Sequence, residues 1–299
     1  MKRRFSWTLI FALLPVGGVA LGACVGDEPA PVTPVYVERD SGLGDKDATP
    51  GDAQTDQNTP WNPSKVGGLF LWLDGADANA VKRTADNRVT EWTDKSPKAK
   101  HFKQTAPERA PYFTTSAISD KTGIVFTASS AQYLLGPSFS ELRGAHAFAI
   151  YKTLSATQTN NGFWKFSNGD YVYMPFNDNF MYDGFGATGR QLTGVPQPNA
   201  AAPHLYEVVS TVNHWAGLFD GDPKTGKTAA PNTVDFFADG SLLGASANTD
   251  GKLTPGVYFT GIFAEVIVYD HELLDSDLAQ VRDYLSAKWQ INIAKPDGG

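Results

Sequence analysis

The sequence predicts an all-β fold, a sandwich of two antiparallel sheets that ends in one short helix. The first observation is composition: 12% of the 299 residues are aromatic, and 29 glycines and 19 prolines supply many turns. Such a composition fits a β-rich chain better than a helical bundle. The second observation is a series of short apolar runs that end in turn residues. The third is a helical apolar pattern near the C-terminus.

The N-terminus has the pattern of a secretory signal peptide. Three basic residues at positions 2 to 4 precede an apolar stretch from Phe5 to about Leu21, which Pro15 interrupts. A basic start, a short apolar middle and a small-residue exit are typical of signal peptides. The stretch is too short and too broken for a transmembrane helix. We therefore predict that residues 1–23 are removed from the mature chain.

The exit of this segment reads Leu21-Gly22-Ala23-Cys24, and Cys24 is the only cysteine in the chain. It resembles the bacterial lipobox, in which a diacylglycerol is attached to the cysteine before cleavage in front of it. The resemblance implies that Cys24 is lipidated and that the N-terminal lipid anchors the chain to a membrane without spanning it. The absence of Asp directly after Cys24 favours the outer membrane of the cell envelope over the inner membrane, with the chain facing the periplasm or the surface. The alternative is an ordinary signal peptide with a chance cysteine.

An acidic tether follows at residues 24–65, which include the lipidated terminus. This segment is rich in Pro, Asp, Thr and Gly and has no repeating apolar period. It buries too little surface to offset the entropy of ordering, so we predict that it is disordered. Loss of the signal peptide leaves 22 basic against 32 acidic side chains, a net charge of −10. Because such a surface repels polyanions, we predict no nucleic-acid partner.

Residues 66–293 carry the predicted sandwich, and residues 294–299 form a predicted flexible tail. Short apolar runs bounded by turn residues recur at the spacing of a β-sandwich. The predicted strands and their turns lie within Gly68–Asp74, Arg88–Ser96, Pro111–Phe113, Gly123–Phe126, Gln132–Leu134 and Gly261–Asp270.

A helix is predicted from Leu274 to Trp289. Asp275 is a good N-cap residue. The apolar residues that share one helical face are Leu278, Val281, Leu285 and Trp289. We expect this face to pack on the sandwich as a lid.

Both ends of residues 68–292 resemble a known family. The first strand ends in Trp72-Leu73-Asp74, the segment Val89–Ser96 has the pattern Val-x-x-Trp-x-Asp-x-Ser, and the last strand and the helix close the domain. In these motifs the chain is similar to the LamG-like members of the concanavalin A-like lectin and glucanase superfamily. The resemblance implies a two-sheet antiparallel jelly-roll sandwich and a lectin-like binding function.

One segment matches a phosphate-binding motif by its letters alone. Residues Gly221–Thr228 satisfy the pattern G-x-x-x-x-G-K-[ST]. A true phosphate loop opens a helix, but Pro231 follows three residues later and breaks any helix at its start. We therefore predict a solvated loop and no nucleotide partner.

No group of residues predicts catalysis. A Glu-x-Asp-x-x-Glu strand, which would pair two glycosidase carboxylates, is missing, and Glu265 is predicted to be covered or turn-facing. A Gly-x-Ser-x-Gly elbow is also missing, and the five histidines lack the spacing of metal ligands. We predict no catalytic residue, no metal and no cofactor. A calcium site at Asp74 and Asp77, as in some relatives, is the alternative to a turn-capping role for these two residues.

Aromatic residues alternate with Asn and Asp in the middle of the chain, a pattern that suits sugar recognition. The predicted ligand-binding residues are Trp164, Asp170, Tyr173, Asn177, Asp178, Tyr182 and Arg190. The same residue types also fill sandwich cores and turns. Three hypotheses follow: a non-catalytic module that binds carbohydrate, a structural or adhesive protein that binds another envelope protein, and a glycan hydrolase or lyase. The first is favoured.

Overall fold

The computed structural model describes residues 60–154, 160–194, 201–248 and 255–296. These residues belong to one compact unit, Asp56–Gly299. The predicted signal peptide, the lipidation site Cys24 and most of the predicted tether lie outside the described residues.

Short β-strands and one helix of fifteen residues make up most of the regular structure in the described ranges. In chain order the strands are β1 (Leu69–Asp74), β2 (Val81–Arg83), β3 (Val89–Trp92), β4 (Phe102–Lys103), β5 (Tyr112–Ile118), β6 (Lys121–Phe126), β7 (Leu134–Gly136), β8 (Ala145–Thr153), β9 (Trp164–Lys165), β10 (Met181–Asp183), β11 (Gln191–Gly194), β12 (His204–Ser210), β13 (Trp215–Phe219), β14 (Asp222–Ala229), β15 (Ser241–Leu243), β16 (Ala245–Ala247), β17 (Pro255–Tyr258) and β18 (Gly261–Tyr269). The helix is α1 (Asp275–Trp289).

Two antiparallel sheets form the sandwich. The larger has eight strands in the order β14-β13-β12-β8-β18-β6-β5, and β1 also pairs with β18. The smaller has six strands in the order β2-β3-β4-β7-β15-β9. The pairs β10-β11 and β16-β17 are separate two-stranded units. The predicted all-β sandwich with a C-terminal helix is confirmed.

Aromatic side chains fill the space between the two sheets. Phe163, next to β9 of the smaller sheet, has its ring centroid 4.6 Å from that of Phe263 and 5.1 Å from that of Tyr151 on the larger sheet. Trp92 of β3 is fully buried in the same cluster. The aromatic-rich sequence therefore reflects, in large part, the core of the sandwich.

The helix α1 covers the outer face of the larger sheet. Strands β8, β12 and β18 are buried along almost their whole length, because the core covers one face and the helix the other. Val281, Leu285 and Trp289 pack there as predicted. Leu274, not Asp275, is the N-cap, and Asp275 lies in the first helical turn, where its charge favours the positive end of the helix dipole. No helix of the described ranges is long and apolar enough to span a membrane.

The ordered domain begins earlier than the predicted boundary at residue 66. Trp61 donates from Nε1 to Gln280 Oε1 at 2.9 Å, and its ring centroid lies 5.5 Å from that of Tyr284. We call residues 60–65 the N-terminal strap. At the other end, Ala294 was predicted to belong to a flexible tail, but its amide donates to Asp220 O at 2.7 Å.

The segment with the phosphate-loop pattern is a strand. Residues Asp222–Ala229 form β14 and pair with β13, and Lys227 is the register partner of Gly217. The hairpin turn before it uses left-handed backbone at Asp220 and Gly221, with φ of 52° and 69°. The predicted solvated loop is therefore wrong, since cross-strand pairing orders the segment, while its side chains stay half-buried or exposed at the edge of the sheet.

Candidate functional site

A small antiparallel layer carries most of the predicted ligand-binding residues. Tyr182 of β10 is the register partner of Leu192 of β11. On its other side Tyr182 forms a bridge with Tyr173, through two backbone hydrogen bonds of 2.9 Å. Directly opposed residues of antiparallel strands point to the same face. The side chains of these three residues therefore form one row.

The residues between them point into the core. Val172, Met174 and Met181 are buried within the cluster that fills the sandwich. The strand period of two thus separates a buried face from an outward face. We call the outward face the tyrosine platform. Its residues are Tyr171, Tyr173, Phe176, Phe180, Tyr182, Arg190 and Leu192, of which Tyr173 is only 9% exposed because Tyr171, Phe176 and Arg190 lie against its ring.

The rings of the platform touch in series but do not share a plane. The Tyr173 centroid lies 6.0 Å from that of Tyr171 and 4.7 Å from that of Phe176, at interplanar angles of 48° and 49°. Phe176 meets Tyr182 at 5.7 Å and 84°. The result is a curved aromatic surface that offers both ring faces and ring edges.

Arg190 supplies the positive charge of the platform. Its Cζ lies 5.4 Å from the Tyr173 ring centroid and 4.9 Å from that of Tyr182. Nη1 donates to Tyr171 O at 3.4 Å. The side chain is exposed and also hydrogen-bonds to the Tyr173 side chain, and a guanidinium has further N–H groups that can donate to a ligand.

Asp178 supplies a negative charge at the rim. Its Oδ2 accepts from the Tyr182 hydroxyl at 2.7 Å, and its Oδ1 accepts from the Phe180 amide at 2.9 Å. Desolvation acts to raise the pKa of Asp178, but these hydrogen bonds outweigh it and lower the pKa below its ordinary value. The same hydrogen bond raises the pKa of Tyr182. The carboxyl group is therefore ionised at neutral pH.

Two more predicted residues lie near this rim. Asn177 is exposed in the turn between Phe176 and β10. Asp170 is exposed, and its charge helps to raise the pKa of Tyr173, which burial raises most. Six of the seven predicted residues therefore belong to one region of the surface.

Trp164 is the exception, and its prediction as a ligand-binding residue is wrong. Its ring is fully buried, with centroids of Phe163 and Phe166 at 4.8 and 5.3 Å. Strand β9 belongs to the smaller sheet and turns this side chain towards the larger one. No ring face remains for a ligand.

Besides Phe176, which lies three residues after Tyr173 and outside the strand alternation, sequence reasoning missed three members of the platform. Tyr171 lies two residues before Tyr173, and Leu192 lies two residues after Arg190, so strand alternation places each pair on one face. Phe180 precedes Tyr182 by the same interval. Taking every second residue before and after Tyr173, Tyr182 and Arg190 in the sequence would have identified these three residues.

Asp74 and Asp77 are turn caps in the structure. Asp74 Oδ1 accepts from the Ala76 amide at 3.0 Å, and Asp77 Oδ1 accepts from the Asn79 amide at 3.1 Å. The Lys95 ammonium lies between them, 3.0 and 2.9 Å from their Oδ2 atoms. Within the described ranges, no group of three or more His, Cys, Asp or Glu side chains is arranged to hold a metal ion.

No family model and no curated protein matches this chain, so the resemblance to LamG-like domains stays a prediction. Among solved structures, a Trypanosoma rangeli sialidase in complex with sialic acid is similar at a TM-score of 0.49 and 12% identity, over 77% of this chain and 36% of that one. Domain 4 of an extracellular arabinanase from Geobacillus stearothermophilus, in complex with arabinotriose, is similar at a TM-score of 0.43 and 13% sequence identity. The match covers 72% of this chain and 97% of that one. The binding domain of paraclostridial mosquitocidal protein 1 is similar at a TM-score of 0.47 and 10% sequence identity. The match covers 74% of this chain and 52% of that one. The chain thus spans about a third of the sialidase's length.

Proposed function

We propose that this chain is a lipid-anchored binding module of the cell envelope that holds a glycan on the tyrosine platform and catalyses no reaction. The observation that supports this proposal best is the platform itself, with aromatic side chains on alternate, outward positions around an exposed arginine. Sugar rings pack their C–H faces on aromatic rings, while amide, carboxylate and guanidinium groups take the hydroxyls. Asn177, Asp178 and Arg190 provide all three kinds of polar group.

The exposure of the platform supports a binding role rather than a packing role. Other side chains fill the core between the sheets, and apart from Tyr173 the platform side chains remain at least partly in water. Phe180 is 43% exposed and Leu192 is 38% exposed. Clustered apolar side chains that remain in water are typical of interaction surfaces.

The predicted N-terminus suits such a role. Lipid on Cys24 would hold the chain at a membrane, and a proline-rich, acidic tether extends rather than collapses. The platform would then reach ligands tens of ångströms from the lipid surface.

A protein ligand is the second candidate. Phe180 and Leu192 are apolar and bring no hydrogen bond to a sugar. Tyrosine and arginine are also the residues that dominate protein–protein binding energies. These features favour the envelope-protein hypothesis over a hydrolase or lyase.

The test is a glycan array screened with residues 56–299, with and without calcium, beside a Phe180→Ala/Tyr182→Ala variant. We expect selective binding that weakens at least about tenfold in the variant, the effect of losing about 1.4 kcal/mol. Tyr112→Ala is the matched control, because Tyr112 is 36% exposed and also has an arginine over its ring, Arg88 at 4.6 Å.

The control variant should bind as tightly as the unchanged chain. Equal losses in both variants would exclude the platform as the site. If the unchanged chain binds no glycan in either condition, the carbohydrate proposal fails. A platform-dependent protein partner would then support the second candidate.

A further inference from the structure

Asp74, Glu265 and Lys288 meet between the larger sheet and α1. Asp74 at the end of β1 is the register partner of Glu265 on β18, so the two carboxylates lie side by side on one face of the sheet. Lys288, in the last turn of α1, reaches down to both. Its Nζ lies 2.7 Å from Asp74 Oδ1 and 2.9 Å from Glu265 Oε2.

The cluster is enclosed. The side chains of Lys288, Asp74 and Glu265 are 15%, 8% and 0% exposed. Aromatic rings surround the ammonium, with the centroids of Tyr284 and Trp289 at 5.1 and 5.2 Å.

Glu265 is held in place by three aromatic donors. The indole of Trp72 and the hydroxyl of Tyr284 donate to Oε1 at 2.7 and 2.8 Å, and the indole of Trp289 donates to Oε2 at 2.6 Å. Burial raises the pKa of Glu265, and the neighbouring Asp74 raises it further, although Lys288 opposes both. The carboxyl group can therefore accept and return a proton.

A second lysine completes the arrangement. Lys95 Nζ lies 3.0 Å from Asp74 Oδ2, the oxygen that Lys288 does not contact. A fixed positive charge there would offset negative charge that develops on the Asp74 carboxyl group during attack by an amine.

We propose that Lys288 and Asp74 join in an intramolecular isopeptide bond, with Glu265 transferring the protons. Glu265 Oε2 takes a proton from the Lys288 ammonium, and the freed lone pair attacks Asp74 Cγ. The C–N bond forms, the bond from Cγ to Oδ1 breaks, and Oδ1 leaves as water. Of the three ammonium protons, one stays on the amide and two leave with the water. Glu265 ends as it began, and no oxidant or reductant is needed.

The close approach of the Lys288 amine to the Asp74 carboxyl group is the main source of reactivity in this cluster. Holding an amine in contact with a carboxyl group replaces an encounter in solution by a reaction within one molecule. The bond would join residues that are 214 positions apart and fix the end of α1 to the end of β1. Lys82 and Glu91 are also 2.7 Å apart, but the lysine side chain is 65% exposed. That amine is open to solvent and is not held against the carboxyl group, so we expect no bond there.

The test is the mass of the full chain after denaturation, compared with that of a Lys288→Arg variant. The two chains share every other modification, so their difference should equal the substitution plus one water. Peptide mapping should recover Asp74 and Lys288 in one linked product. Lys82→Arg is the matched control and should change the mass by the substitution alone.

Glu265→Gln removes the proton acceptor while keeping the side chain's size, so its chain should retain the water. A mass difference between the unchanged chain and Lys288→Arg that equals the substitution alone overturns the proposal. So does a water loss that maps to another lysine, or one that persists in Glu265→Gln. Because the bond forms only in the folded chain, Glu265→Gln is first compared with the unchanged chain by circular dichroism, and the Lys288→Arg comparison decides the proposal in either case.

Discussion

At the scale of single residues, Asp183 is a carboxyl group placed beneath the platform where water does not reach it. Its Oδ1 accepts from Trp164 Nε1 at 3.1 Å and from the Phe185 amide at 3.0 Å, and its Oδ2 accepts from the Tyr206 hydroxyl at 2.9 Å. Burial outweighs these hydrogen bonds and raises the pKa of Asp183 from 3.8 to about 6. The hydrogen bonds of Asp183 therefore link β10 to the core, and the free-energy cost of burying its charged form depends on pH.

Replacing Asp183 by Asn should remove this dependence. In the folded chain Asp183 binds its proton more tightly than in the unfolded chain, so its contribution to stability falls as the pH rises from about 4 to about 6 and stays low above that. The free energy of unfolding of Asp183→Asn, relative to the unchanged chain, should rise by roughly 2–3 kcal/mol between pH 4 and pH 7. Urea unfolding at several pH values measures it. Parallel pH profiles for the two chains would contradict the assignment.

The same scale shows where sequence reasoning stops. Trp164 and Tyr173 both lie in aromatic segments with Asn and Asp nearby, and both were predicted to bind a ligand. The first is packed between the two sheets, and the second lies on the outward face beside β10, under its platform neighbours. No local property of the sequence distinguishes them, since the difference depends on which sheet each strand joins.

At the scale of elements, α1 is fixed to the sheet by charge as well as by apolar packing. Arg282 donates from Nε to Glu207 Oε2 and from Nη2 to Glu207 Oε1, both at 2.8 Å. His146 Nε2 lies 3.2 Å from Glu207 Oε1. Although burial acts to raise the pKa of Glu207, these two partners lower it below its ordinary value.

Removing one partner of this buried pair should cost more than removing both. Arg282→Met would leave the Glu207 carboxylate buried without its strongest partner, and we expect a loss of about 3–5 kcal/mol in the free energy of unfolding. Arg282→Met combined with Glu207→Met should recover most of that loss. Chemical denaturation of the single and double variants measures the coupling, and simple addition of the two single effects would rule it out.

Helices and strands were predicted correctly where the sequence pattern was compatible with only one type of secondary structure. The helix was predicted within one residue at its start, because Leu278, Val281, Leu285 and Trp289 recur at helical spacing. The segment Gly221–Thr228 was predicted to be a loop, because Pro231 excluded a helix. An edge strand such as β14 is ordered by backbone hydrogen bonds to β13, and these bonds require no particular pattern of side chains.

At the scale of the whole molecule, the domain has three layers rather than two. The smaller sheet, the larger sheet and α1 stack in that order, and the N-terminal strap lies across the helix. The sequence predicted the strands at both ends of the chain and the lid well, since these segments carry continuous apolar patterns. The middle of the chain was harder to predict, because strands such as β9 and β10 are only two and three residues long and carry no extended apolar pattern.

The strap should contribute measurably to stability. We expect residues 66–299 to unfold at lower denaturant concentration than residues 56–299, because Trp61 loses its contacts with Gln280 and Tyr284. Trp61→Ala in the longer chain should reproduce most of a loss of about 1–3 kcal/mol. Matching unfolding midpoints for all three chains would show that the strap adds nothing.

The alternation within the platform also determines how this surface can evolve. If the platform binds a ligand as proposed, substitutions at outward positions such as Tyr182 and Arg190 can change specificity, while Val172 and Met181 pack in the core and hold the fold. An insertion is different, because one extra residue in β10 would exchange the two faces of that strand. Divergence of this binding surface should therefore proceed through substitutions, with changes in length confined to the turns.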